Sequence, residues 1–361
     1  MKLSIPKLLL GLLIPLGIGC VPQSFIKAPL VLPPSTTGRI YAPRPATLSV
    51  TVKDERPAGA FLGGGILGPN SDKGEGIFLG YQTETPEQLR QHLEGSAKEA
   101  IAAFAFTAGP AYSLELRLKD ARIDMYRYSG FSPMNCIAYI HMETSIKGPD
   151  GQEKTKTFKL TYYENTTPAM SMKEVVKEAV SRIYHQAALE AVMTTLQEQF
   201  PGAAEPASLA NVMAVLKTTT NDDSAREVVF LLGLTGKEDP ATKDAVVSLF
   251  RTSPSQRIRE GALEAVGMMG IASQTEDIQS LLAGKVKIGA WDKDDTEEVW
   301  YMLKTLHLLG VPDLKARIPV SDKLSGGARL KTLVEFMDSG KIPPLTDSEK
   351  ASADKLRQNT K

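Results

Sequence analysis

Two stretches of this chain, 226–236 (REVVFLLGLTG) and 259–270 (REGALEAVGMMG), align with Gly233 on Gly267 and Gly236 on Gly270, a period of 34 residues. Such a repeat unit cannot bury its apolar face alone, so neighbours must stack. A third copy, 298–310 (EVWYMLKTLHLLG), lies 40 residues further on, with 283–291 as the insertion. It replaces the first glycine by His307 and adds Trp300 and Tyr301. Shorter helices are expected at 241–250 and 275–282, starting at Asp239-Pro240 and Ser273-Gln274-Thr275-Glu276. The reading is an all-α repeat domain over 206–320, whose glycines either let helices approach closely or end them. A helix at 330–337 and a polar tail complete 321–361.

The pattern before the PGAAEP stretch at 201–206 is different, and 200–205 is taken as a linker. Residues 48–52 alternate in polarity and are rich in β-branched types, which predicts a strand. A glycine-rich segment, 59–80, is expected to be a loop. Thr85-Pro86-Glu87-Gln88 has the form of a capping box, opening a helix with Leu89, Leu93, Ala97, Ala100 and Phe104 on one face. In the next strand Leu114, Leu116 and Leu118 give way to Ala121, Ile123 and Met125. That change of phase predicts a bulge at Lys119-Asp120. Two more strands, 135–147 and 153–163, flank a Gly148-Pro149-Asp150-Gly151 turn, and a helix starts at Ser171-Met172-Lys173-Glu174. Residues 46–199 therefore read as an α+β domain, an antiparallel sheet with two helices.

Two resemblances follow from these residues. The strand entering Val52-x-Asp54-x-Arg56, the glycine-rich segment, the helix and the meander resemble the YajG-like family of bacterial lipoproteins, which implies an envelope location. The Arg-Glu-x-Ala-x-x-Ala-x-Gly-x-x-Gly pattern of the second copy resembles HEAT-like repeats. That resemblance implies protein binding on a concave face.

The amino terminus has Lys2 and Lys7, then an apolar run from 8 to 18. Eleven residues rise too little to cross a hydrocarbon core of about 30 Å, so 1–19 reads as a cleaved signal peptide. Its end, Leu16-Gly17-Ile18-Gly19-Cys20, resembles the bacterial lipobox, with Leu16 one place early. The resemblance implies that Cys20 becomes the acylated first residue. Acyl chains contribute about 0.8 kcal/mol per buried methylene. Val21, rather than Asp, points to the outer membrane, facing the periplasm. Six prolines in 21–45 suggest that 20–45 is an extended tether.

Basic and acidic residues number 42 each, and removal of 1–19 leaves 40 against 42. That balance lacks the basic footprint of a nucleic-acid binder. Gly63–Gly68 satisfies G-x-G-x-x-G but does not join a strand to a helix, so it does not read as a dinucleotide site. His92, His141, His185 and His307 have no partners at metal-ligand spacing, and Cys136 lies in an apolar strand. No catalytic residue, cofactor or metal site is assigned. Possible partner contacts are Asp54 and Arg56 beside the glycine-rich segment, and Tyr126, Arg127, Tyr128 and Phe131 in an aromatic turn. The expectation is a membrane-anchored protein-binding or scaffold module. The alternatives are a periplasmic hydrolase or glycan-acting enzyme using the α+β domain, and a homo-oligomeric assembly subunit.

Overall fold

The computed structural model describes residues 23–33, 38–56, 63–67, 77–82, 85–126, 134–166, 172–288, 295–318 and 325–345, with four positions beyond. Among the described residues, seven strands form one mixed sheet: β1 (Gln23–Lys27), β2 (Arg44–Asp54), β3 (Gly63–Leu67), β4 (Ile77–Gln82), β5 (Phe106–Tyr126), β6 (Asn135–Lys147) and β7 (Glu153–Asn165). Their order is β1-β4-β3-β5-β6-β7, and β2 pairs with the first half of the long β5. The expected antiparallel sheet is corrected here, because β2 runs parallel to β5, with Leu48 opposite Tyr112 and Val52 opposite Leu116. The cause is helix α1 (Pro86–Ala102), which carries the chain back across the sheet before β5 begins, as a crossover connection must.

The expected stripe of α1 is buried, with Leu89, Leu93, Ala97, Ala100 and Phe104 all at 1% exposure or less. Thr85 N donates to Gln88 Oε1 at 3.3 Å at its start. The register of β5 on β6 shifts between Leu118 and Asp120, where the phase of the apolar residues changes. Ala121, Ile123 and Met125 then return to the buried face. The opposite face of β2 and of the first half of β5 is polar and carries ion pairs, including Lys53–Glu115 at 2.5 Å, Arg117–Glu143 at 2.6 Å and Lys119–Glu55 at 2.6 Å.

Two further expectations are corrected. Part of the 59–80 glycine-rich segment is the β3–β4 hairpin rather than a loop. Gly63 fits there because a Cβ would lie 2.2 Å from the Ile123 carbonyl oxygen. Residues 57–62 and 68–76 lie outside the described set. Nor do residues 23–33 and 38–45 form a free tether. Residues 23–27 are strand β1, parallel to β4. Ala28, Ile40 and Tyr41 are buried, and Val31 N donates to Ser181 Oγ at 3.0 Å. Proline favours extended backbone, and here that backbone is laid against the domain.

After β7 come α2 (Met172–Val175), a π-helical turn (Val176–Val180) and α3 (Ser181–Gln199), which packs on α1 and on the sheet. Ser171, the expected cap, lies outside the described residues. The remainder is helical: α4 (Pro206–Thr218), α5 (Asp222–Thr235), α6 (Pro240–Thr252), α7 (Gln256–Met268), α8 (Thr275–Ile288), α9 (Asp295–Leu308) and α10 (Ser325–Ser339). The chain is thus an α+β sheet layer followed by an all-α region. Asp239 caps α6 through Thr242 N at 2.8 Å. Helix α8 continues to Ile288, so most of the expected insertion at 283–291 extends an existing helix. Gly270 and Gly310 stand just past their helices at φ +65° and +76°, a conformation glycine adopts without strain.

Helices α5, α7 and α9 stack in series. A Cβ at Gly233 would sit 2.7 Å from the Ala265 Cα, so α5 and α7 touch through backbone. One period later, a Cβ at Gly267 would sit 3.2 Å from the Thr305 Cα, where α7 meets α9. The apolar core is continuous from the sheet into these helices.

Candidate functional site

Asp54 and Arg56 close the end of β2. Asp54 accepts from Arg56 through both oxygens, Oδ1 from Nε at 2.8 Å and Oδ2 from Nη2 at 2.7 Å. Oδ1 also accepts from the Arg56 backbone N at 3.2 Å, the turn that an Asp side chain makes with its own chain. The Arg56 side chain is only 7% exposed, against 28% for Asp54. Its Nη1 has no hydrogen-bond partner among the described residues. Burial lowers the Arg56 pKa, but the Asp54 bond outweighs this and the guanidinium is raised. Buried Tyr184 beside it is pushed up to about 12 by loss of hydration. The pair is therefore a clamp on the strand end with one buried donor left over. Of the aromatic turn, Tyr126 ends β5 opposite Asn135. Arg127, Tyr128 and Phe131, like Cys20, lie outside the described residues.

The histidines are dispersed. His92 and His185 form a polar seam between α1 and α3, His92 Nε2 to Ser181 O at 2.8 Å and His185 Nδ1 to Ser96 Oγ at 2.9 Å. Burial lowers His92 to about 4 and lowers His185 as well. His307 sits 3.5 Å from Asp338. Cys136 is buried. At the β6–β7 turn, Tyr112, Asp150, Lys154 and Gln199 line a shallow depression of about 220 Å³, which is smaller than typical small-molecule sites of about 300–1,000 Å³.

Sequence reasoning missed a buried charge cluster, a seam where α5, α7 and α9 meet β7. Arg226 of α5 is 3% exposed. It donates to the Tyr163 carbonyl at 3.3 Å, to Glu297 Oε1 at 3.4 Å and to the Tyr301 hydroxyl, and lies 3.5 Å from Glu164. Arg257 donates to the same Glu297 oxygen at 2.6 Å. Lys304 of α9 donates to the Thr161 carbonyl at 2.8 Å and to Glu264, over the Tyr162 ring. Tyr162 in turn donates to Glu190 Oε2 at 2.7 Å. The available signal was charge at core-facing helix positions: Arg226 and Glu260, one period apart, both fall on buried faces.

Carboxylates outnumber cations in this seam, and burial pushes several toward the neutral form. Glu297 and Glu190 are raised by burial. Glu227 and Glu260 rise to about 7, burial outweighing the arginines beside them. Unfolded, these two titrate near 4.5, so the folded state holds their protons longer. Their contribution to stability is full below about pH 4.5 and is lost as pH rises through about 7. Glu260→Gln is expected to flatten the fall in thermal midpoint between pH 5 and pH 8. An unchanged pH profile would rule out Glu260 as a source of that fall.

No family model matches the chain, and no curated protein matches it. Among solved structures, the crystal structure of protein XCC0632 from Xanthomonas campestris, family-model DUF330, is similar over 48% of this chain and 94% of that chain. The identity is 14% and the TM-score 0.28.

Proposed function

We propose that the chain is a lipoprotein of the bacterial cell envelope, acylated at Cys20, held at the outer membrane facing the periplasm, and acting as a protein-binding or scaffold module. The observation that carries the scaffold reading is the serial stacking of α5 on α7 and α7 on α9 through equivalent glycines. Stacked units one period apart are how solenoid binding surfaces are built, and on this reading the helices are HEAT-like. The α5–α7–α9 row is engaged with the chain's own β7, so partner contact falls to the outer helices α4 and α8, where Val215 and Leu281 are about half exposed.

Metabolic labelling with an acyl-chain analogue, followed by membrane fractionation, tests the anchor. Wild type is expected to be labelled and to pellet with membranes, and Cys20→Ser to be unlabelled and soluble. Pelleting of unlabelled Cys20→Ser would sink the anchor. Photocrosslinkers at 215 and 281 test the scaffold: adducts with a different protein support it, and adducts only between copies favour the homo-oligomer reading.

A further inference from the structure

The strand registers bring several chain ends to one end of the sheet. Gln23 of β1 lies opposite Phe78 near the start of β4, and Leu67 at the end of β3 lies opposite Ile77. Strand β5 runs parallel to β3, with Gly63 opposite Ile123, so β5 finishes at this same end. Tyr126 then pairs with Asn135, the first residue of β6. The 148–151 turn joining β6 to β7 is at the far end, twelve residue steps along β6. At about 3.4 Å per step that is about 40 Å away.

Cys20 precedes Gln23 by three residues. Fully extended, three residues reach about 11 Å at most. The chain after β1 gives no slack either. Ala28 is buried, Val31 N is bonded to Ser181 Oγ, and a Cβ at Gly95 would lie 2.4 Å from the Leu32 Cδ1. A group fixed to Cys20 is thereby fixed close to the folded sheet. Strand β7 also ends here, with Asn165 opposite Asn135, and the short α2 that follows it touches β1, which places exposed Lys173 on the side of this end.

We infer that the end of the sheet bearing Gln23, Leu67, Ile77, Tyr126 and Asn135 sits directly against the lipid surface, with the β6–β7 turn pointing away from it. This rests on acylation of Cys20. An anchor followed by a long free arm would leave orientation unspecified, whereas an anchor about 11 Å from a strand specifies it.

The test uses the full acylated protein on vesicles of phosphatidylethanolamine and phosphatidylglycerol, carrying a fluorophore at Lys173→Cys or at Asp150→Cys. Quenching by a nitroxide on the lipid headgroups is expected to be at least about fivefold stronger at 173 than at 150, since the turn that carries Asp150 lies about 40 Å along β6 from the Asn135 end. A variant with about ten Gly and Ser residues inserted after Val21 is expected to float with vesicles equally well but lose the difference. Equal quenching at both sites in a protein that floats would overturn the orientation and leave the anchor standing. Failure of the acylated protein to float would overturn the anchor, and the orientation with it.

Discussion

Arg226→Ala is expected to destabilise the fold by about 3–5 kcal/mol, the cost of breaking a buried ion pair from one side. The side chain holds the Tyr163 carbonyl, the Tyr301 hydroxyl and Glu297, and lies 3.5 Å from Glu164. Its loss leaves two buried carboxylates short of a cation and a β7 carbonyl without one of its donors. Urea unfolding at pH 8 measures this, and a change below about 1 kcal/mol would show that the seam does not join helices to sheet. The size should depend on pH. Glu297 already favours its proton, because burial raises it well above the usual carboxylate range. Lower pH favours the neutral form of Glu297, so the loss of Arg226 should cost less as pH falls.

Gly233→Val is expected to cost about 3 kcal/mol, the upper part of the usual range for overpacking. The first added carbon would already lie 2.7 Å from the Ala265 Cα and 2.6 Å from the Met268 Cε, and backbone cannot rotate away. Gly267→Val should cost less, since the Leu308 Cδ1 at 2.9 Å is the end of an exposed side chain that can move and the Thr305 Cα is 3.2 Å away. Gly284 in α8 is the control, because nothing lies within 4 Å of a Cβ there. Gly284→Ala should be neutral or stabilising by up to about 1 kcal/mol, through helix propensity alone. Equal effects at 233 and 284 would mean that the glycine does not set the spacing between helices.

Local signals in the sequence were strong where one residue type has one physical use. Leu89, Leu93, Ala97, Ala100 and Phe104 lie at helical spacing and are all buried. The phase change between Leu118 and Ala121 marks a real shift in register. The repeat glycines locate real helix contacts. Pairing direction was not legible, because an alternating strand such as β2 looks the same whether its neighbour runs parallel or antiparallel. The hairpin at Gly63–Leu67 was hidden because three glycines carry no pattern of faces. Proline-rich sequence fixes an extended backbone but not whether it is solvated, so Ile40 and Tyr41 read as tether while being core. The charged seam was obscured because Arg226 and Lys304 look like surface residues until the sheet is placed beside them. Of the candidate site, the Asp54–Arg56 pairing could be read locally, whereas the burial of Arg56 depends on residues brought in by other strands and helices.

The main-chain contacts of that seam bear on how the sheet ends. β7 is last in the strand order, and a long terminal strand offers its unbonded carbonyls to any other extended chain it meets, which is how sheets aggregate. Two of those carbonyls, Thr161 and Tyr163, are taken by Lys304, Arg226 and the Tyr301 hydroxyl. The acceptors are backbone atoms, and the β7 side chains Glu164 and Tyr162 lie against the same two cations. The side chains that reach these carbonyls therefore act as gatekeepers over this part of β7, denying two of its acceptors to an added strand.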